Sequence, residues 1–162
     1  MKSPAQAPFW HLVRTSRAVV WGRTIVGTSL LITGSCWAAL GGNLAGVNSD
    51  QQAWNATQTS TVMTGATVYA LTFPNGVIVR EFVDSNGSVF AVAWEGPVMP
   101  DFQRLLAGYF GSYQEALNTQ SRGVHVRTNA LVIESGGRMR AFTGRAYLPL
   151  QVPAAISATD IR

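Results

Sequence analysis

The sequence from Thr61 onward alternates β-type runs with tight-turn signals, and this pattern limits the possible folds more than any other feature. Three runs rich in Val, Phe, Tyr and Thr read "TVYALTF", "VIVREFV" and "SVFAVAW", and "PNG" and "DSNG" separate them. Asn-Gly flanked by apolar runs is typical of β-hairpins. The pattern predicts a three-stranded antiparallel meander, with Gly87 in a left-handed conformation after the Ser85-Asn86 turn.

The apolar period changes after "EGPVMP". Phe102, Leu105, Leu106, Tyr109 and Phe110 recur at the spacing of one helix face. Gly111 is expected to interrupt this helix. Ser112 and Glu115 have the spacing of a capping box, which predicts a second short helix.

The chain then returns to β-type runs, "VHVRT", "LVIES" and "RMRAFTGRAYLP", with Gly136-Gly137 as the expected hairpin turn. The predicted fold class is α+β. We expect an antiparallel sheet of about five to six strands, consisting of the meander, a helical segment and three further strands. One or two short helices pack on one face of it, because the apolar helix stripe must be buried.

The sequence divides into four predicted segments. Residues 1–38 are interpreted as a signal peptide, 39–60 as a flexible polar linker, 61–149 as a single α+β domain and 150–162 as a C-terminal tail. The linker prediction rests on the polar text "GGNLAGVNSDQQAWNATQTS", which offers few apolar residues to bury.

The signal-peptide prediction rests on a basic residue, Arg23, followed by an apolar run and then small residues. Cleavage is expected between Ala38 and Ala39, which would remove Cys36 and give a periplasmic or secreted protein. Two alternatives stay open: a lipoprotein modified at Cys36, and an uncleaved N-terminal anchor. Membrane contact is expected only through such a lipidated or uncleaved N-terminus.

Charge argues against a nucleic-acid partner. The chain has 12 Lys and Arg residues against 8 Asp and Glu, but Lys2, Arg14, Arg17 and Arg23 precede Ala39. The remaining part has a net charge near zero. The excess positive charge of the whole chain therefore belongs to the predicted export signal. It also has no Lys, no Cys and a single His, His125. Thiol nucleophiles, Schiff-base lysines and multi-histidine metal sites therefore lack their residues, and no cofactor or metal is expected.

His125 is the default acid or base, because it is the residue that titrates near neutrality. If Asn129-Ala130 is a two-residue hairpin loop, His125 faces Glu134 across the hairpin. Such a pair is a weak catalytic candidate, and an exposed structural pair is the more common arrangement. A three-residue loop would separate the two residues.

The densest positive charge after Ala39 is formed by Arg138, Arg140 and Arg145. Strand alternation would put Arg138 and Arg140 on one face, where guanidinium groups could bind a carboxylate or a sugar. Trp94 is a further candidate ligand contact. The alternatives are a solvated arginine face that pairs with Glu81 or Glu134, and a tryptophan that fills the core.

Three longer stretches are also distinctive: "VREFVDSNGSVFAVAWEGPVMPDF", "SGGRMRAFTGRAYLP" and the closing "SATDIR". With them the chain resembles a proteobacterial family of secreted proteins described as a domain of unknown function. The resemblance implies export and transfers no functional residue.

The sequence therefore favours a non-enzymatic secreted or envelope module that binds a peptide, a glycan or an envelope protein through its sheet face or an open strand edge. A small hydrolase that uses His125 with a carboxylate is the alternative.

Overall fold

The computed structural model describes residues 39–120 and 123–162, which belong to one compact unit. The predicted signal peptide, with Cys36 and Ala38, lies outside the described residues. The helices are α1 (Leu44–Ala53), α2 (Phe102–Leu106) and α3 (Phe110–Thr119), with a 3-10 turn at Ala107–Tyr109 between the last two. The strands are β1 (Thr57–Met63), β2 (Ala66–Thr72), β3 (Ile78–Val83), β4 (Val89–Gly96), β5 (Val124–Arg127), β6 (Val132–Arg138) and β7 (Ala141–Tyr147).

The described strands form a single antiparallel sheet in the order β1-β2-β3-β4-β7-β6-β5. The α+β class and the meander β2-β3-β4 are confirmed. Gly87 has φ +82°, as its turn requires, and its N–H donates to the carbonyl of Asp84 at 3.0 Å. The sheet has seven strands, more than the five to six predicted, because β1 lies largely in the stretch interpreted as a linker.

The prediction of a flexible linker at 39–60 is wrong. Helix α1 begins after Asn43, whose side chain accepts a hydrogen bond from Gly46 N at 3.2 Å. Leu40 and Val47 are buried in the core, and Leu40 N donates to the carbonyl of Leu105 at 3.0 Å. A few apolar residues are enough to keep this segment packed on the domain, because the core of the domain buries them.

The helical segment also differs from the prediction in its break point. The chain is interrupted at Ala107, with φ +43°, and Gly111 lies inside α3. Ser112 and Glu115 are therefore interior residues of α3 and form no capping box at its start. The predicted apolar stripe is used nonetheless, since Phe102, Leu105 and Leu106 are all buried.

Both faces of the sheet are covered in the middle, and we name them by what covers them. The helix side holds the larger cluster, in which Val92 and Trp94 of β4 pack with residues of the helices. The tail side holds Phe82, Phe90 and Tyr147 with Ile156 and Ile161 of the C-terminal segment. Residues 150–162 form no helix or strand, yet Ile161 is fully buried, so this segment belongs to the domain core.

None of the helices in residues 39–120 and 123–162 has the length and apolar character required to cross a bilayer.

Candidate functional site

A row of polar side chains crosses the tail side of the sheet. Strand pairing places Arg145 of β7 opposite Glu134 of β6, and Glu134 opposite His125 of β5. The expected register of His125 and Glu134 is therefore confirmed. The loop that sets it is closed by Thr128, whose N–H donates to the carbonyl of Leu131 at 2.8 Å.

Glu134 binds two arginines. Arg127 Nη2 lies 2.9 Å from Oε1, and Arg145 Nη2 lies 2.7 Å from Oε2. The hydrogen bond from Arg145 and the charges of both arginines hold the pKa of Glu134 below its usual value. Because Glu134 stays ionised and its oxygens are occupied by arginines, it is poorly suited to act as an acid or base with His125.

Arg145 joins three parts of the fold. Its Nε donates to Glu134 Oε2 at 2.9 Å, and its Nη1 donates to the carbonyl oxygens of Ala158 and Ile161. The guanidinium also lies 5.9 Å from the centre of the Tyr147 ring. This side chain connects the C-terminal segment to the sheet. The structure thus assigns Arg145 a role in holding the fold together.

The backbone of His125 is fixed by Gln120, the residue that follows α3. His125 N donates to Gln120 Oε1 at 2.7 Å, and Gln120 Nε2 donates to the carbonyl of His125 at 3.0 Å. The His125 side chain itself is exposed. No local sequence pattern indicates this contact, because it joins a helix end to a strand edge.

The structure corrects the placement of Arg138 and Arg140. Gly136-Gly137 lies within β6, and the β6–β7 turn is made by Met139 and Arg140, with Arg140 at φ +67°. Arg140 therefore projects from a turn and shares no strand face with Arg138. Arg138 stays on the tail side by alternation, four residues from Glu134, which is about 13 Å along the strand.

A cleft of about 1050 Å³ opens on this side of the sheet. Its lining combines ionisable side chains with small and glycine residues. The ionisable residues are Arg80, Glu95, His125, Glu134, Arg145 and Arg162, and the others include Gly123, Gly136, Gly137, Thr143 and Gly144. Beside Gly136 an added Cβ would meet nothing within 4 Å, so a ligand could approach the β6 backbone closely.

Arg80 and Glu95 are functional candidates that the sequence analysis missed. Arg80 Nη2 lies 2.6 Å from Glu95 Oε1, and the two side chains are 29% and 49% exposed. Such a partly exposed ion pair contributes little stability and is easily exchanged. The predicted hairpin of β3 and β4 was sufficient to place Arg80 near Glu95. It was not sufficient to place Arg80 in one cleft with Arg145, which is distant in sequence.

Trp94 is 1% exposed and packs edge-on against Phe102, with ring centroids 5.0 Å apart. Its indole is thus a core side chain, which is the alternative that the sequence left open.

A buried acid lies on the helix side of β3. Glu81 is 1% exposed, and its Oε2 has no hydrogen-bond partner among the described residues. Burial, with a smaller contribution from the charge of Asp50, raises the pKa of Glu81 to about 8. The alternation of Val79, Glu81 and Val83 was the available sequence signal. In the described part of the chain, no group of three or more His, Cys, Asp or Glu side chains could hold a metal ion.

Residues 36–161 match the family model described as "Protein of unknown function (DUF2844)". The chain belongs to the DUF2844 family. Comparison with curated proteins and with solved structures gives no match in either case. The DUF2844 match spans α1, all seven strands and nearly the whole C-terminal segment, so these are parts of one family domain.

Proposed function

We propose that the protein is a non-enzymatic binding module of the periplasm or the secreted fraction, and that it binds a carboxylate-bearing ligand along the tail-side cleft. The single observation that carries this proposal is the combination of an arginine-lined cleft with an accessible glycine backbone in β6. Guanidinium groups bind carboxylates through two parallel hydrogen bonds, which suits an acidic glycan or an acidic peptide.

Arg80 is the principal ligand contact in this proposal. Its pairing with Glu95 is partly exposed, so a ligand carboxylate can replace Glu95 at little cost. Arg145 lines the same cleft in a structural role, because Glu134 and the C-terminal carbonyl oxygens already accept hydrogen bonds from its guanidinium group.

The ligand is proposed to be extended. Strand pairing puts Arg80 in the same row as Ala93, Arg145 and Glu134, so Arg80 lies three strand spacings, about 14 Å, from β6. Arg138 lies a further four residues, about 13 Å, along β6. Arg140 lies beyond it in the turn and adds positive charge at the same end. An acidic polymer with repeated carboxylates fits this separation better than a single small acid.

The hydrolase alternative receives less support from the geometry. Glu134 accepts hydrogen bonds from Arg127 and Arg145, so it is not available as the base or nucleophile that His125 would need.

The test is an NMR and calorimetric titration of the protein with an oligogalacturonate and with an oligoglutamate peptide. A neutral oligosaccharide and an oligoglutamine peptide of equal length are the ligand controls. We expect the acidic probes alone to bind. Arg80→Gln, and separately Arg138→Gln with Arg140→Gln, should each weaken binding at least about tenfold, which is about 1.4 kcal/mol.

Arg127→Gln is the control for Arg80→Gln, since it also removes one positive charge but from a side chain that is 75% exposed and lies outside the cleft lining. Arg127 faces Val132, on the side of Glu134 away from Arg138, so the proposed ligand path does not reach it. Binding should be unchanged in this variant. Equal binding of neutral and acidic probes, or equal losses in all variants, would refute the proposed site. Mass spectrometry of the exported protein tests the location: a chain starting at Ala39 is expected, and a lipidated Cys36 would contradict it.

A further inference from the structure

Strand β1 forms one end of the sheet, and no other strand of the described residues pairs with its outer edge. Its pairing with β2 is continuous from Thr57↔Thr72 to Met63↔Ala66, without a bulge. Alternate residues of an edge strand direct their N–H and C=O groups outward, where they can bind another strand. The outer edge of β1 is thus a straight, seven-residue template for strand addition.

This edge lacks the usual protection. The sequence "TQTSTVM" contains no charged residue and no proline, and Val62 is 82% exposed. Charged side chains, prolines and bulges are the features by which proteins normally block pairing at such edges. Their absence over the whole strand leaves β1 competent to pair.

The opposite edge is closed by the chain itself. Strand β5 has four residues and includes His125 and Arg127. The side-chain amide of Gln120 binds both the N–H and the C=O of His125, at 2.7 and 3.0 Å, in the place where a further strand would bind. Strand addition is therefore possible at β1 and blocked at this position of β5.

We propose that β1 pairs antiparallel with β1 of a second copy of the chain, about a twofold axis at Ser60. In this register Thr59 faces Thr61 of the partner subunit, and Gln58 faces Val62 of the partner subunit. Each residue meets one on the same side of the sheet, because its partner differs from it by an even number of positions. Threonine pairs across strands are favourable, and the exposed Val62 gains a neighbour.

Two observations favour a second copy as the occupant. No charged residue occurs between Thr57 and Thr72, so two identical β1–β2 hairpins approach without repulsion of like charges. In addition, an antiparallel contact between two β1 strands is isologous and uses the outer edge of β1 in both copies, so this contact closes at two copies. The tail-side cleft contains no residue of β1 or β2, so it stays accessible in each subunit.

Sedimentation velocity of the purified protein over the micromolar range tests the proposal, with a concentration-dependent doubling of mass as the expected result. The double variant Thr59→Lys with Thr61→Lys places lysines opposite each other twice and should weaken dimerisation at least about tenfold. Its matched control is Thr59→Lys with Thr61→Glu, which places opposite charges face to face and should restore the dimer. Both changed positions, Thr59 and Thr61, are exposed, so circular dichroism should report an unchanged fold in both variants.

Three outcomes overturn the inference. One is a monomer at every concentration, including a monomer whose β1 instead binds an extended peptide from another protein. Another is a dimer unaffected by the double lysine variant. The last is a charge-paired variant that dissociates as readily as the double lysine variant.

Discussion

Gly144 of β7 lies directly opposite Trp94 of β4, and the indole ring fills the space that a side chain at Gly144 would need. A Cβ added there would lie 2.7 Å from Trp94 Cε2 and 2.5 Å from the carbonyl oxygen of Glu134. The largest core side chain therefore depends on a glycine in the neighbouring strand.

Gly144→Ala should lower the free energy of unfolding by about 2 kcal/mol or more, because neither the buried ring nor the β6 backbone can move aside freely. Urea unfolding monitored by tryptophan fluorescence measures the loss. Gly136→Ala is the control on the adjacent strand, where an added Cβ meets nothing within 4 Å. Similar losses in both variants would contradict the packing argument.

Arg145→Ala should release the C-terminal segment. The change removes the donors to Ala158, Ile161 and Glu134, and charge-assisted hydrogen bonds of this kind contribute about 1–3 kcal/mol when partly buried. Hydrogen exchange should accelerate at the amides of residues 156–161, and stability should fall by an amount in that range. Arg127→Ala, whose side chain is 75% exposed, should change stability by less than about 0.5 kcal/mol. Unchanged exchange in the Arg145 variant would mean that packing of the segment alone holds it.

Stability should fall as the pH rises toward 8. The pKa of Glu81 is raised from 4.5 to about 8 in the folded protein, so between these values the unfolded chain releases a proton that the folded state retains. The free energy of unfolding then decreases by up to about 1.4 kcal/mol per pH unit and levels off above the folded pKa. Urea unfolding at pH 5, 7 and 9 tests this pH window. The window excludes the acid range, where the lowered pKa of Glu134 makes the free energy of unfolding fall as the pH decreases.

Glu81→Gln should remove most of this pH dependence and stabilise the protein at pH 9, because the amide is neutral at every pH. Glu95→Gln is the control, since Glu95 is half exposed on the other side of the sheet. If the wild type and Glu81→Gln lose stability equally between pH 5 and 9, another group controls the transition.

Gly87→Val should destabilise the β3–β4 hairpin by more than about 1 kcal/mol. The residue has φ +82°, a conformation that β-branched side chains resist, although the space around it is open. Gly87→Asn should cost less, because asparagine tolerates the left-handed region. Equal unfolding midpoints for the valine and asparagine variants would show that backbone conformation is not the cause.

Local patterns in the sequence were sufficient for the meander, its turns and the apolar helix stripe. The runs rich in Val, Phe, Tyr and Thr and the Asn-Gly turns act over a few residues, so they can be interpreted without knowledge of distant partners. For the hairpin of His125 and Glu134 the sequence left two loop lengths open, and the structure shows the two-residue loop at Asn129-Ala130. The family resemblance was recognised from longer stretches of sequence, such as residues 79–102.

The tertiary structure alone decided the roles of β1, α1, Gln120 and Arg145. A polar segment with few apolar residues predicts a linker. Nothing in the local sequence shows that the rest of the domain will bury its apolar residues, Leu40 and Val47. The sequence offered Arg145 as a ligand contact or as a partner of Glu81 or Glu134, and the pair with Glu134 is the one that forms. The C-terminal carbonyls that also bind Arg145 lie 13 and 16 residues away in the sequence. Long-range contacts of this kind depend on how the chain closes on itself, and for that reason no spacing in the sequence revealed them.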